Sequence, residues 1–286
     1  MRLWQHVRNP ESFDMQFISS TSNEKIKRTA LYSQKASARK EDGVFIAEGT
    51  KLVIESPGDL IREIFVSESC FDELKSGKGN LWEKFNELRS ALPEEAVIKV
   101  SDHVFEKISS QKSPQGMLAV VRTLSYKKED ITKGNPLILI LEDIQDPGNV
   151  GTVFRTAEAA GVTGIILSEG CADPMSPKVV RSTMGAIFRM PFVITSDLPA
   201  TVRTLEKDGI ACYAARLDAA SEYDKCDLTA PSALLIGNEG NGLSAEVTAA
   251  ASKGIFIPMC GKTESLNAAV SASILSYEAA RQRRNK

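Results

Sequence analysis

Residues 137–161 read LILILEDIQDPGNVGTVFRTAEAAG, and this stretch decides the fold class. Its first five residues are aliphatic without alternation, so a strand here must be covered on both faces, as in a parallel sheet. A polar turn, Asp146-Pro147-Gly148-Asn149, follows it. The next stretch, Val150 to Ala160, reads as a helix and stops at Gly161, a residue suited to a left-handed cap. Residues 164–168, GIILS, begin the pattern again. Further apolar runs stand at 191–195, 210–215, 233–236 and 255–258, with helical stretches between most of them; one starts near Pro177, where proline suits a first turn. Strand, helix, strand in this order predicts a doubly wound α/β domain.

Upstream of it, residues 125–136, SYKKEDITKGNP, form a polar stretch ending in Gly and Pro between two apolar runs, the signature of a linker. The residues before the linker mix elements on a smaller scale. Strands are expected at 44–47, 64–66, 97–100 and 117–121, and helices over 23–34, 50–55, 81–90 and 103–109. A chain of 286 residues exceeds the usual single core, so two domains are expected. The reading is an N-terminal extension over 1–20, a small α/β domain over 21–124, the linker over 125–136, and the parallel-sheet domain over 137–286.

Composition narrows the function classes. With 42% hydrophobic and 25% charged residues the chain is an ordinary globular one. No stretch approaches eighteen consecutive apolar residues, and the first twenty, with Arg2, His6, Arg8, Glu11 and Asp14, hold no signal-peptide core, so a cytoplasmic protein without membrane association is expected. Five cysteines form no CxxC pair, which argues against a disulfide framework. The two histidines, His6 and His103, lie far apart, and no metal site is expected. A formal charge of −2 does not by itself advertise nucleic acid. Between residues 25 and 40, however, stand Lys25, Lys27, Arg28, Lys35, Arg39 and Lys40 with no acid among them. Phosphate contacts dominate nucleic-acid affinity, so this stretch is the candidate RNA-facing segment, the alternative being a solvated helix face. The tail from Arg281 to Lys286 is a second basic cluster, equally explained by cations complementing a helix C-terminus.

Three loops at or beside strand ends carry small and polar residues beyond structural need, and in open α/β sheets ligands sit at the carboxyl ends of strands. In the first, Asn149 and Arg155 are six apart, just under two helical turns; read blandly, they are an N-cap and a surface ion-pair partner. In the second, Gly237, Gly240 and Gly242 run G-x-x-G-x-G around Glu239, the reverse of the dinucleotide fingerprint, so the loop lets backbone approach a ligand without arguing for NAD. In the third, Gly261-Lys262-Thr263 lacks the earlier glycine a phosphate-binding P-loop needs, because Phe256 stands there, and Ser265 and Asn267 sit at a helix start.

Taken together, Asn149-x-Gly151-x-x-x-Arg155, Gly237-x-Glu239-x-x-Gly242 and Ile257-Pro-Met through Ser265-Leu-Asn267 resemble the three motifs of the SpoU (TrmH-type) RNA ribose methyltransferases of the SPOUT superfamily, over roughly residues 137–284. The N-terminal part is similar to the substrate-binding domain often joined to them, with Phe45-Ile-Ala-Glu-Gly49 as the matching strand-to-helix motif. The resemblance implies a C-terminal sheet threaded into a deep trefoil knot, S-adenosyl-L-methionine as cofactor, and a homodimer with its site at the interface. It implies Gly237, Ile257 and Leu266 as cofactor contacts, and Asn149, Arg155, Glu239, Ser265 and Asn267 as catalytic and substrate-side residues. The expected reaction is 2′-O-ribose methylation of RNA, with 23S-type ribosomal RNA favoured over transfer RNA. Because a free guanidinium holds its proton far above neutral pH, Arg155 is expected to act as an electrostatic clamp oriented by Glu239 rather than as the base. Two rival readings are an RNA-binding module of the same fold that has lost transfer, and a nucleotide-dependent oxidoreductase, which the reversed glycine spacing disfavours.

Overall fold

A computed structural model describes residues 15–77 and 79–285. The extension expected over 1–20 lies outside the described residues as far as position 14, as does Lys286 of the basic tail. The chain divides between Thr123 and Leu124 into two compact units.

The first unit is built on β1 (Gln16–Ile18), β2 (Val44–Glu48), β3 (Ile61–Ser67), β4 (Val97–Val100) and β5 (Met117–Arg122), in the order β1-β4-β3-β5-β2. The strands β1, β4 and β3 run parallel, and β5 runs against both β3 and β2. Ile26, Ala30 and Tyr32 from the Glu24–Gln34 helix and Val104, Phe105 and Ile108 from the Asp102–Ile108 helix bury against Ile46, Phe65, Ile98 and Val120 of the sheet. Residues 16–18 therefore belong to the sheet and not to an extension; three residues are too few to show a period. Glu48 of the strand-to-helix motif is buried and accepts hydrogen bonds from the Ser109 hydroxyl and from the Ser110 N–H (3.1 Å) and hydroxyl (2.8 Å), fixing the loop that leads into β5.

The second unit holds β6 (Leu137–Leu141), β7 (Gly164–Ser168), β8 (Phe192–Thr195), β9 (Ala211–Ala215), β10 (Ser221–Glu222), β11 (Ser232–Ile236) and β12 (Lys253–Phe256). Their order is β10-β12-β9-β11-β6-β7-β8, and every pairing is parallel. All residues of β6 and β11 are buried, the reason for their uninterrupted apolar runs. On one face Leu198, Val202 and Leu205 of the Leu198–Lys207 helix meet Ile138, Ile140, Ile166 and Leu235. On the other, the Pro147–Ala160 and Ala268–Arg284 helices pack together, and Phe154 meets Phe192 edge-on at 5.3 Å between ring centroids.

The stretch 125–136 is not an open linker. It contains a helical turn, Lys128–Ile131, whose Ile131 is buried in the second core against Gly164, where a Cβ would stand 2.2 Å from the Ile131 Cγ2. Tyr126 and Ile131, amid ten residues of polar or turn-forming type, gave no period to read. One cation of the basic tail is likewise turned inward, while Arg281 and Arg284 stay exposed. Arg283 donates to the carbonyls of Leu228 (2.9 Å), Asn135 (2.9 Å), Pro136 (3.0 Å) and Ala230 (2.8 Å), tying the last helix to the entrances of β6 and β11. Arg281 pairs with Glu278 at 2.8 Å. Replacing Arg283 by alanine leaves four carbonyls to find water and is expected to lower stability by about 2–4 kcal/mol. Urea unfolding measures this, and a midpoint equal to that of the wild type would show the four bonds to be worth nothing.

Candidate active site

The three polar loops meet at the carboxyl ends of β6, β11 and β12. After β6, the Asp146 carboxylate accepts from the Asn149 N–H (2.8 Å) and caps the helix, whose first residue is Pro147. The cap is therefore Asp146 and not Asn149, which leaves the Asn149 amide free for tertiary contacts. Its Nδ2 donates to Glu239 Oε1 at 2.6 Å, and its Oδ1 accepts from Asn267 Nδ2 at 3.1 Å. Asn267 in turn caps the last helix, its Oδ1 accepting from the N–H groups of Ala269 (2.9 Å) and Val270 (3.3 Å). One chain of side-chain bonds, Glu239–Asn149–Asn267, thus joins all three loops.

The glycine loop owes its shape to short-range constraints. Asn238 and Gly242 exchange backbone hydrogen bonds (3.0 and 2.9 Å), and Gly242 is left-handed with φ +69°. The Asn238 carboxamide oxygen accepts from the N–H groups of Gly240 (2.9 Å) and Asn241 (3.1 Å). A Cβ on Gly237 would lie 2.2 Å from the carbonyl carbon of Gly242 and the nitrogen of Leu243, so no side chain fits there. The loop's outer bonds run to the segment after β6: Asn238 Nδ2 donates to the Asp143 carbonyl (2.8 Å), and the Ser244 N–H donates to Glu142 Oε2 (2.8 Å).

Beside this loop lies a cavity of about 820 Å³. The expected ligand contacts Gly237, Ile257 and Leu266 line it, as do Glu239 and Ser265. Ile236, Ile255 and Leu275 add apolar wall. The sequence reading missed the segment from Ala215, the last residue of β9, to Asp218, which also lines the cavity. Its one available signal was its place at the carboxyl end of a strand. Arg216 and Asp218 there form a two-point ion pair (2.7 and 2.6 Å), and the Asp218 carboxyl is held below its ordinary range by hydrogen bonds from Arg216.

Arg155 does not meet Glu239. It stands exposed on the Pro147–Ala160 helix with no hydrogen bond or ion pair among the described residues. Six residues along a helix advance it by about 9 Å from Asn149, and Asn149 is the residue within reach of the Glu239 carboxylate. Its charge is consequently uncommitted.

The basic stretch of the first unit holds less open charge than its sequence suggests. Lys25 pairs with Glu63 (3.1 Å), Lys27 with Glu24 (2.7 Å), and Arg28 with Asp42. Arg39 is buried and donates to the Tyr32 carbonyl at 3.0 Å, so it cannot face a ligand. Lys35 and Lys40 are exposed and make no ion pair among the described residues. Among those residues no helix is long and apolar enough to cross a membrane, and no cluster of His, Cys, Asp or Glu is arranged to hold a metal ion.

Comparison with known proteins follows the two units. The profile of the SpoU rRNA Methylase family matches residues 136–277, and that of the MRM3-like substrate binding domain matches residues 23–119. The chain is 32% identical to the 23S rRNA (guanosine(2553)-2′-O)-methyltransferase RlmP of Bacillus subtilis, covering 92% of this chain and 98% of that protein. It is 30% identical to the mitochondrial rRNA methyltransferase 3A of Danio rerio, over 90% of this chain and 68% of the relative. Its fold is similar to that of the AdoMet-bound rRNA methyltransferase from Sinorhizobium meliloti, with a TM-score of 0.78 and 30% identity over 93% of this chain and 98% of the other.

Proposed function

The chain belongs to the SpoU rRNA methylase family, and from that premise we propose that it is an S-adenosylmethionine-dependent RNA methyltransferase that modifies a ribose 2′-hydroxyl, with 23S-type ribosomal RNA as its substrate. The observation that carries the reading is the Glu239–Asn149–Asn267 chain standing beside the glycine-lined cavity. The cavity suits the cofactor: Ile257, Leu266 and Leu275 offer apolar wall to a purine, and Gly237 exposes backbone to its polar groups. Bound there, S-adenosylmethionine supplies a methyl group already activated by the sulfonium charge.

The protein's work is to position the acceptor hydroxyl and manage one proton. Arg155, cationic and unpaired, is the clamp for negative charge growing on the ribose oxygen or for an adjoining phosphate. Asn149, itself held by Asn267, holds Glu239 by its Oε1, and Glu239 Oε2, which makes no hydrogen bond among the described residues, is free to take the proton directly or through water. Ser265, at the cavity rim, contacts cofactor or substrate. On the first unit, Lys35 and Lys40 are the cations left open for RNA phosphates, with Lys25, Lys27 and Arg28 contributing only by exchanging their carboxylate partners.

A homodimer completes the reading. Val270 and Tyr277 are exposed, 45% and 50%, on the last helix beside the helix that carries Arg155, an apolar stripe suited to a second copy. The trefoil knot that the resemblance implies is assigned to the segment 257–267, between β12 and the last helix, whose Asn267 bonds Asn149. The expected setting is the cytoplasm.

Isothermal titration with S-adenosylmethionine, followed by transfer of its labelled methyl group to purified ribosomal and transfer RNA, tests the proposal. A 2′-O-methyl blocks alkaline cleavage at its own linkage, so label in alkali-stable dinucleotides is expected, from ribosomal RNA alone. Label released in mononucleotides would overturn the ribose assignment, and label confined to transfer RNA would overturn the substrate.

A further inference from the structure

Asp143 is one of two non-glycine described residues in the left-handed region, with φ +53°, and it stands two residues past the end of β6, the strand that feeds the active site. Such a conformation persists where the surroundings over-determine it, and Asp tolerates it better than most residues. Ser168, at the end of the neighbouring strand β7, supplies the surroundings. Its hydroxyl donates to Asp143 Oδ1 at 2.6 Å and accepts from the Asp143 N–H at 2.9 Å. Gly170 leaves room for the carboxylate, since a Cβ there would stand 2.1 Å from Asp143 Oδ1.

The turn has a purpose visible one residue away. The Glu142 N–H still pairs with the Ile236 carbonyl (2.9 Å), so the ladder between β6 and β11 runs to that point and then ends. The left-handed residue frees the next carbonyl from the ladder, and that carbonyl receives Asn238 Nδ2 at 2.8 Å. Asn238 is the residue whose other amide atom folds the glycine loop by accepting from Gly240 and Asn241. Glu239, which holds Asn149, is its immediate neighbour.

We propose that Ser168, Asp143 and Asn238 form a relay of positioning residues: the Ser168 hydroxyl locks Asp143, Asp143 presents its carbonyl, and Asn238 uses it to set the glycine loop against the methyl donor and to aim Glu239 at Asn149. Of the three only Asn238 lines the cavity; the Ser168 hydroxyl also lies 3.6 Å from the Cys171 thiol, but its bonds to Asp143 are the ones that lead on to the glycine loop. For the donor, the inference rests on the methyltransferase reading; for the shape of the loop, it does not.

The test uses the full-length protein and two readouts. Amide hydrogen exchange of residues 237–244 in the ligand-free protein reports loop order without any ligand. Titration with S-adenosylmethionine reports the consequence for binding. Ser168→Ala is expected to raise exchange across the glycine loop and to weaken donor binding, each by roughly fivefold to tenfold, the scale of one lost hydrogen bond. Ser168→Thr restores both, because it keeps the hydroxyl. Asn238→Asp keeps the acceptor that folds the loop but faces the Asp143 carbonyl with a second oxygen, and it is expected to do at least as much damage. Melting temperatures close to the wild-type value accompany both results. Unchanged exchange in Ser168→Ala overturns the relay, as does damage that threonine fails to repair. A wild-type protein that binds no S-adenosylmethionine, yet shows the expected exchange pattern, would overturn the methyltransferase reading and leave the relay standing.

Discussion

Arg155→Ala is expected to lower the rate of methyl transfer by about 10²–10³-fold, the loss measured when one preorganised charge-stabilising donor is removed from an active site. Affinity for S-adenosylmethionine should stay within about threefold, because an interaction made only with the transition state leaves ground-state binding alone. The reasoning starts from isolation: Arg155 is exposed and unpaired among the described residues, while nearby Arg189 pairs with Glu158 at 2.8 Å. Alanine at 155 therefore removes charge without breaking a structural contact, and the melting temperature should hold. Arg155→Lys separates two mechanisms. Lysine keeps the charge and loses the planar fork, so a clamp retains part of its activity with a flat pH profile. If Arg155 were the base, the lysine variant would gain activity steeply as pH rises. Single-turnover rates across pH distinguish the two, and an alanine variant with wild-type rate would remove Arg155 from the mechanism.

The second large effect is steric. Gly237→Ala places a carbon 2.2 Å from two backbone atoms of the returning loop, a distance no relaxation of a flexible side chain can relieve. The loop must open, and the cavity wall moves with it. Donor binding is expected to fall at least about 100-fold, equivalent to roughly 3 kcal/mol at the overpacking scale. Gly240→Ala is the control in the same loop, since a Cβ there meets only Asn238 Oδ1 at 3.5 Å. It should bind the donor as the wild type does. Equal affinity in both variants would mean that the loop does not form the binding wall.

The contrast between those two glycines shows where the sequence was legible and where it was not. The apolar runs 137–141 and 164–168 coincide with β6 and β7 because strands covered on both faces leave no polar position to blur the pattern. The last strand was expected at 255–258 and ends at Phe256, since Ile257 turns toward the cavity while remaining apolar in composition. The G-x-x-G-x-G spacing announces a tight loop, but Gly237 and Gly240 look alike on paper; only the returning chain at Gly242 tells them apart. Asn149 reads as a cap until Asp146 is seen to do that work. The basic run at 25–40 carries less open charge than its composition suggests, for a related reason. Its neutralising partners Asp42 and Glu63 lie outside the run, and burial of Arg39 depends on Tyr32, whose carbonyl direction no composition reveals. Asp143 offers no sequence signal at all, because a left-handed backbone at an aspartate is set by its neighbours in space.

The Asn149–Asn267 bond spans 118 residues of chain, and the Arg283 bond to Asn135 spans 148. Both wait on the final 17-residue helix, whose cap is Asn267. During synthesis every other part of the second unit is made before that helix emerges, so the nascent chain carries a sheet without a finished reaction centre. Contacts so distant along the chain form late and slowly. The reaction centre is therefore expected to close only after residues 267–284 have been made, and a variant cut before Asn267 is expected to lose methyl transfer however much of the sheet survives.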